Sequence, residues 1–195
     1  QIVDISHTST PVTIGSLATD ERTFGIRVIG DRAYTTESNN HLRIIDISDP
    51  AAPALIGEVE TLGSANKIFI DGDIAYVTLF DAGLQIIDIS EAENPVLISR
   101  FETAGSARGV TVVEGIADVA VSSAGLQIID VSTPSSPTLL STTATSETAR
   151  NVVIDGTTAY VSAGGNQEGS FAVLDVSDPS NPILLGKLAT PTTTR

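Results

Sequence analysis

Five aspartates recur along the chain in nearly the same company: Asp4, Asp46, Asp88, Asp130 and Asp175, each followed two positions later by a serine. A carboxylate with a nearby hydroxyl can ligate a hard cation or move a proton. The same pair can instead accept backbone N–H groups in Asx and Ser/Thr turns, which orders the chain and performs no reaction. Repetition decides between the two roles. A residue present once in every structural unit belongs to the scaffold, whereas a site occupies one place in an array. These five aspartates are therefore read as structural, and no metal ligand set is assigned.

Departures from the regular pattern carry more information. Asp118 stands where the other units have Tyr34, Tyr76 and Tyr160. A carboxylate at an aromatic position faces solvent or requires a partner, so it reads either as surface drift or as a ligand or cation contact. Residues 164–170 contain a three-residue insertion that brings Asn166, Gln167 and Glu168; loop insertions add binding surface to rigid scaffolds, although a Gly-rich loop can also be plain connection. Phe24, Asn66, Arg108 and Arg150 occupy equivalent positions, with Lys67 and Asn151 beside two of them. Facing a central axis, the two arginines would form a cationic mouth suited to a carboxylate or a sugar acid; facing outward, they are ordinary solvated residues. The same class of loops carries Glu21, Arg22 and Glu147, and the adjoining class carries Glu37, Asn39, Asn40 and Asp81.

Nucleophilic catalysis has little support. His7 and His41 fall in different loop classes, and the chain has no Gly-x-Ser-x-Gly elbow. Phosphate-loop and dinucleotide fingerprints are missing too. With no cysteine there is no disulfide, thiolate zinc site or cysteine nucleophile. The only cofactor expectation is weak Ca²⁺ binding by loop carboxylates.

The elements that must position these residues follow from a repeat. Ile2-Val3-Asp4-Ile5-Ser6 returns as Ile44-Ile45-Asp46-Ile47-Ser48, Ile86-Ile87-Asp88-Ile89-Ser90, Ile128-Ile129-Asp130-Val131-Ser132 and Val173-Leu174-Asp175-Val176-Ser177, at spacings of 42, 42, 42 and 45 residues. Each phrase runs into a turn that usually contains proline, then a second strand such as 54–60, 96–102 or 183–188. A strand opening on alanine comes next (65–70, 107–112, 149–154), then a tight turn such as Asp71-Gly72 or Asp155-Gly156, then a strand of the Ala-Tyr-Val type. β-Branched enrichment, turn signals about every ten residues and Asp-Gly hairpin turns predict four short antiparallel strands per unit. Such a unit is the signature of a β-propeller blade, in an all-β chain.

Leu84-Gln85-Ile86-Ile87-Asp88-Ile89-Ser90 and Leu126-Gln127-Ile128-Ile129-Asp130-Val131-Ser132, together with the proline turn and the Gly-x-x-Ala-Tyr-Val strand, resemble the LVIVD repeat of secreted bacterial and archaeal surface proteins. The resemblance covers essentially the whole chain. It implies a β-propeller and an extracellular or cell-surface location, and supplies no catalytic residues to carry over.

Labelling strands A to D from the axis outward, the chain starts at C and D and then completes four full units. The expected division is a half-blade over 1–21, blades over 22–63, 64–105, 106–147 and 148–190, and a Thr-rich tail over 191–195, all in one propeller domain. Three arrangements fit that count: an arc of a larger ring, an arc completed by neighbouring chains, or a four-bladed ring with a spare hairpin. The strand-like start at Gln1 and the Thr-rich end suggest a processed or excised piece.

Composition narrows the partners. Ten Lys+Arg against 24 Asp+Glu give a net charge of −14, which disfavours nucleic acid and anionic lipid. No stretch approaches the ~18 uninterrupted apolar residues of a spanning helix, so no membrane span is expected. The leading expectation is a non-enzymatic extracellular module of a bacterium or archaeon. It would present its D–A and B–C loops to a protein or glycan, or associate with itself through the incomplete blade. The alternative is a propeller hydrolase or lyase with an axial, Ca²⁺-assisted site, which rests on fold analogy alone.

Overall fold

The computed structural model of the chain describes residues 1–19, 21–81, 83–145, 148–164 and 169–190. Its elements are β-strands, apart from one 3-10 turn at Ser122–Ala124. A two-stranded hairpin, β1 (Ile2–Asp4) and β2 (Val12–Gly15), comes first. Four antiparallel four-stranded sheets follow, each wound in chain order. The first holds β3 (Thr23–Ile29), β4 (Arg32–Glu37), β5 (His41–Asp46) and β6 (Ala54–Glu60). The second holds β7 (Ala65–Asp71), β8 (Ile74–Leu79), β9 (Gly83–Asp88) and β10 (Val96–Phe101). β11 (Ala107–Val113), β12 (Ile116–Val121), β13 (Gly125–Asp130) and β14 (Thr138–Thr143) form the third. β15 (Ala149–Asp155), β16 (Thr158–Gly164), β17 (Gly169–Asp175) and β18 (Ile183–Thr190) form the fourth.

The opening strands β3, β7, β11 and β15 pack on one another in succession, while β3 and β15 make no comparable contact. The sheets are thus blades of an open β-propeller arc, with these strands innermost. Between consecutive blades lies an apolar layer. The first contains Leu42 and Ile44 with Val77, Ile87 and Ile89. Ile86 with Val110, Val119 and Ile129 sits in the second, and Leu126 and Ile128 with Val152, Val161 and Leu174 fill the third. In β9, Ile86 belongs to one layer and its neighbour Ile87 to the other, because alternate side chains leave opposite faces of a strand. A blade is therefore apolar on both faces.

Two devices key each blade to the next. The fourth strand of every sheet carries a bulge, which unpairs Ile56, Ile98, Leu140 and Leu185 from the strict register. The first three pack into the junctions. Beside the first three of these bulges, and beside the one in β2, stands a small residue that receives a carbonyl from the turn of the following blade. A Cβ on Gly15 would overlap the Pro50 oxygen, and one on Gly57 would overlap the Ala92 oxygen. Ser99 and Ser141 donate their hydroxyls to the Pro134 and Pro179 carbonyls. Gly186, at the same repeat position in the last blade, has nothing within 4 Å of its Cβ direction.

Gly57→Ala should therefore cost roughly 1–3 kcal/mol through the forced displacement of a packed blade. Gly186→Ala should be close to neutral. Urea unfolding of both variants checks this pair, and an equal response would show that the slot does not hold the blades in place.

Candidate functional site

The repeated aspartates are explained by local hydrogen bonding. Asp4, Asp46, Asp88, Asp130 and Asp175 each accept the backbone N–H of the serine two residues on, at 2.8–2.9 Å through Oδ1. In the first, second and fifth of these the backbone bond is the main reason the carboxyl titrates below its ordinary range. In Asp88 and Asp130 the serine hydroxyl contributes most. Among the described residues no group of three or more Asp, Glu or His side chains is close enough to hold a metal ion.

Phe24, Asn66, Arg108 and Arg150 share a structural origin. The innermost strands of all four blades have a register shift where these residues lie: between Thr23 and Gly25, Ala65 and Ile68, Ala107 and Gly109, and Ala149 and Asn151. A bulge re-aims a side chain off the regular ladder. Two of the four, Phe24 and Arg108, come together on Phe80, whose ring lies edge-on to Phe24 at 5.8 Å between centroids. The Arg108 guanidinium sits 5.6 Å over the same ring, a cation–π placement, with its Nε buried and unpartnered. Asn66 donates its amide to the Arg108 carbonyl at 2.7 Å. Arg150 stays exposed and donates from Nε to the Gly164 carbonyl at 3.0 Å. Lys67 and Asn151 are exposed beside them.

Glu37 is the last residue of β4 rather than part of a loop, and is fully buried. It occupies the place that Leu79 fills one blade later, because Arg43 follows it 3.1 Å away. Desolvation outweighs that cation and leaves its carboxyl titrating above the ordinary range. Glu147, Asn166, Gln167 and Glu168 lie outside the described residues.

Asp118 occupies the most distinctive position. Tyr34 lies in the first junction with Ile44, Ile70 and Ile89, and Tyr76 lies in the second with Ile86, Val112 and Val131. At the third junction Ile128, Ile154 and Val176 hold those repeat positions, but Asp118 in β12 replaces the ring. A cleft of about 230 Å³ opens there, lined by Asp118 together with Glu114, Ile128, Ile154 and Val176. Asp118 is 3% exposed and its Oδ1 has no hydrogen-bond partner. Burial pushes its carboxyl up to about 7.

Glu114 is a second departure in the same cleft. The turn residues Gly30, Gly72 and Gly156 have φ of 55°, 55° and 58°, and Glu114 takes that place with φ of 49°. A side chain in the left-handed region is strained where glycine is not. The Tyr-to-Asp exchange is among the sequence expectations; the Gly-to-Glu exchange is not, although it stands at one repeat position in the same way.

With the sheets and their junctions established, the fold is that of a β-propeller built from consecutive blades. The LVIVD repeat family matches residues 1–19, 22–61, 62–103, 104–145 and 147–190, and the chain belongs to that family. No curated protein matches the sequence. Among solved structures it is similar to the computationally designed Ika4 protein, at 10% identity and a TM-score of 0.68, covering 83% of this chain and 96% of that one. It is also similar to the designed Ika8 protein, at 7% identity and a TM-score of 0.61, covering 85% of this chain and 61% of that one. The β-propeller domain of Myceliophteria thermophila Cps50 (Swd1) aligns at 12% identity and a TM-score of 0.68, over 88% of this chain and 60% of that domain. These similarities concern the fold alone.

The pH dependence of stability separates the two kinds of aspartate. Between about pH 4 and 7 native Asp118 keeps a proton that the unfolded chain has released, so its contribution falls as pH rises through that window. The five turn aspartates act in the opposite sense: their contribution is present above the unfolded value and is lost as pH falls through their lowered folded values. Asp118→Asn should remove the Asp118 share of the decline between pH 4 and 7, up to about 4 kcal/mol at 1.36 kcal/mol per pKa unit, and leave the smaller one due to Glu37. Parallel denaturation curves for the two proteins across that range would show otherwise.

Proposed function

We propose that the protein is a non-enzymatic structural module of the cell surface or extracellular space, whose activity is head-to-tail association with further copies of itself through its incomplete blade. The observation that supports this most directly is the trailing face of the last blade. Tyr160 stacks on Phe171 at 5.8 Å between centroids. Leu185 and Leu188 are 60% and 66% exposed. Their repeat equivalents Tyr34, Leu42, Ile56 and Val59 all lie in the first junction. The empty slot at Gly186 belongs to the same face.

The opposite end offers the complement. Val3 and Ile5 are 43% and 68% exposed, whereas Ile87 and Ile89 at the same repeat positions are buried against the preceding blade. Thr8 stands in the turn at the repeat position of Pro50, whose carbonyl faces Gly15. Docking the β1–β2 hairpin of a second copy on the last blade would thus reproduce the internal junction, an interface that joins unlike surfaces and extends rather than closes. The net charge of −14 opposes self-contact and is screened by salt. The loop face remains available to a protein or glycan in such an assembly.

The test is sedimentation of the purified chain over a range of concentrations at moderate salt. Species larger than the monomer should grow with concentration, and Leu185→Asp with Leu188→Asp should abolish them without altering the β-sheet circular dichroism. A chain that stays monomeric at every concentration, or variants that associate like the parent, would overturn the proposal.

A further inference from the structure

The cleft at the third junction combines features that a drifting surface does not explain. An aromatic ring has been removed from a packed layer, which leaves apolar walls without contact. The carboxylate that replaced it is buried with one oxygen unsatisfied, a costly state for a charged group. The second carboxylate, Glu114, holds a backbone conformation its three counterparts assign to glycine, and lines the same cleft. Neither residue has a cation to meet it: no ion pair involving Asp118 or Glu114 exists among the described residues.

From this geometry we infer that the cleft between the third and fourth blades binds a small aliphatic ammonium ligand, with the ammonium on the free Oδ1 of Asp118 and its hydrocarbon body against Ile128, Ile154 and Val176. The chemistry of the lining fixes the class of ligand. A buried carboxylate, with a second one in the lining of the same cleft, calls for positive charge and N–H donors, because ionised carboxylates are acceptors only. The isoleucine and valine walls call for an apolar stem. The volume limits its size: about 230 Å³ lies below the ~300–1,000 Å³ of sites for drug-sized ligands, which suits a short alkylamine. A bare metal ion fits poorly, since Ca²⁺ requires six to eight oxygens and the cleft brings only two carboxylates. Burial pushes the Asp118 carboxyl up for want of a neighbouring positive charge, and a bound ammonium supplies one.

The experiment is a titration of the ¹⁵N-labelled chain with n-butylammonium chloride at pH 8, followed by amide chemical shifts. Sodium chloride at matched ionic strength and n-butanol serve as controls. Saturable shifts at Asp118, Ile128 and Ile154 are expected with the amine alone. Asp118→Asn, which keeps size and removes charge, should weaken binding at least about tenfold, in line with the ~1.5–3 kcal/mol of a hydrogen bond to a charged group. Asp118→Tyr restores the ring of the other junctions and should abolish binding. Glu114→Gly restores the residue of the other turns, so it should fold at least as well as the parent while binding more weakly. Absence of saturation, equal binding by n-butanol, or unchanged affinity in Asp118→Asn would each overturn the inference. The aspartate changes at Leu185 and Leu188 that test self-association leave this cleft untouched, so the two proposals fail separately.

Discussion

A blade of this chain has two apolar faces, and that single constraint organises the rest of the molecule. A strand with polar residues on alternate positions would need cover on one side only. Strands such as β9 and β13 are buried at every position from glycine to the second isoleucine, so cover is required on both sides. The 42-residue spacing provides it by placing an identical sheet next in line. Stability in such an array is approximately a sum of blade and junction contributions, and each junction depends only on its neighbours. The bulges in the outer strands and the Gly or Ser slots beside them are the means by which flat repeats become closely fitted ones. A bulge adds the residue that fills the layer, and the small residue next to it lets a neighbouring carbonyl approach.

An open arc satisfies this constraint three times and leaves it unsatisfied twice. The interior junctions bury isoleucine, leucine and valine side chains wholly or in part, while equivalent residues at the ends, Val3, Ile5, Leu185 and Leu188, are exposed. The first complete blade shows a partial compromise. Ile26 and Val28 in its inner strand are exposed at 63% and 57%, yet Ala33 and Ile45 further out are buried, and Gly15 of the β1–β2 hairpin meets the Pro50 turn of the same blade. Polar substitution softens the same face: Thr35 and Glu37 stand where the next blade has Val77 and Leu79. The inner part of that face thus stays exposed and apolar, while the polar exchanges fall among its buried residues.

Much of this was legible in the residues. The Ile-Ile-Asp-Ile-Ser phrase, the proline turn and the Asp-Gly turn specified strand order and blade number, because period-2 patterning and turn chemistry are local properties. The five aspartates can be grouped by their repetition, and the Asx bonds they make to Ser6, Ser48, Ser90, Ser132 and Ser177 are equally local. Bulges were less legible. Phe24, Asn66, Arg108 and Arg150 could be recognised as equivalent, but the meeting of Phe24 and Arg108 on Phe80 depends on how far successive blades are rotated. No residue type encodes that rotation. The slots at Gly15, Gly57, Ser99 and Ser141 show a small residue at one repeat position, which is a readable sign of close approach; the partner it approaches is 35 to 38 residues away in sequence, and only packing reveals it.

A repeat protein carries its own controls, and this gives the departures their weight. Tyr34 and Tyr76 show what the junction accepts at the position of Asp118, and Gly30, Gly72 and Gly156 show what the turn accepts at the position of Glu114. Each exchange taken alone reduces stability, one by emptying and charging a packed layer and the other by straining a turn. Independent drift would scatter such costs over the array. Here both fall in one cleft, one in the turn that leads into β12 and one in β12 itself, and both introduce the same chemical group. Arg108 offers the contrast: it also departs from its counterparts, but the Phe80 ring already occupies its guanidinium, so its charge is partly used within the fold. At Asp118 the free oxygen has no such internal partner, and the third junction is where the scaffold's regularity has been exchanged for an unsatisfied charge.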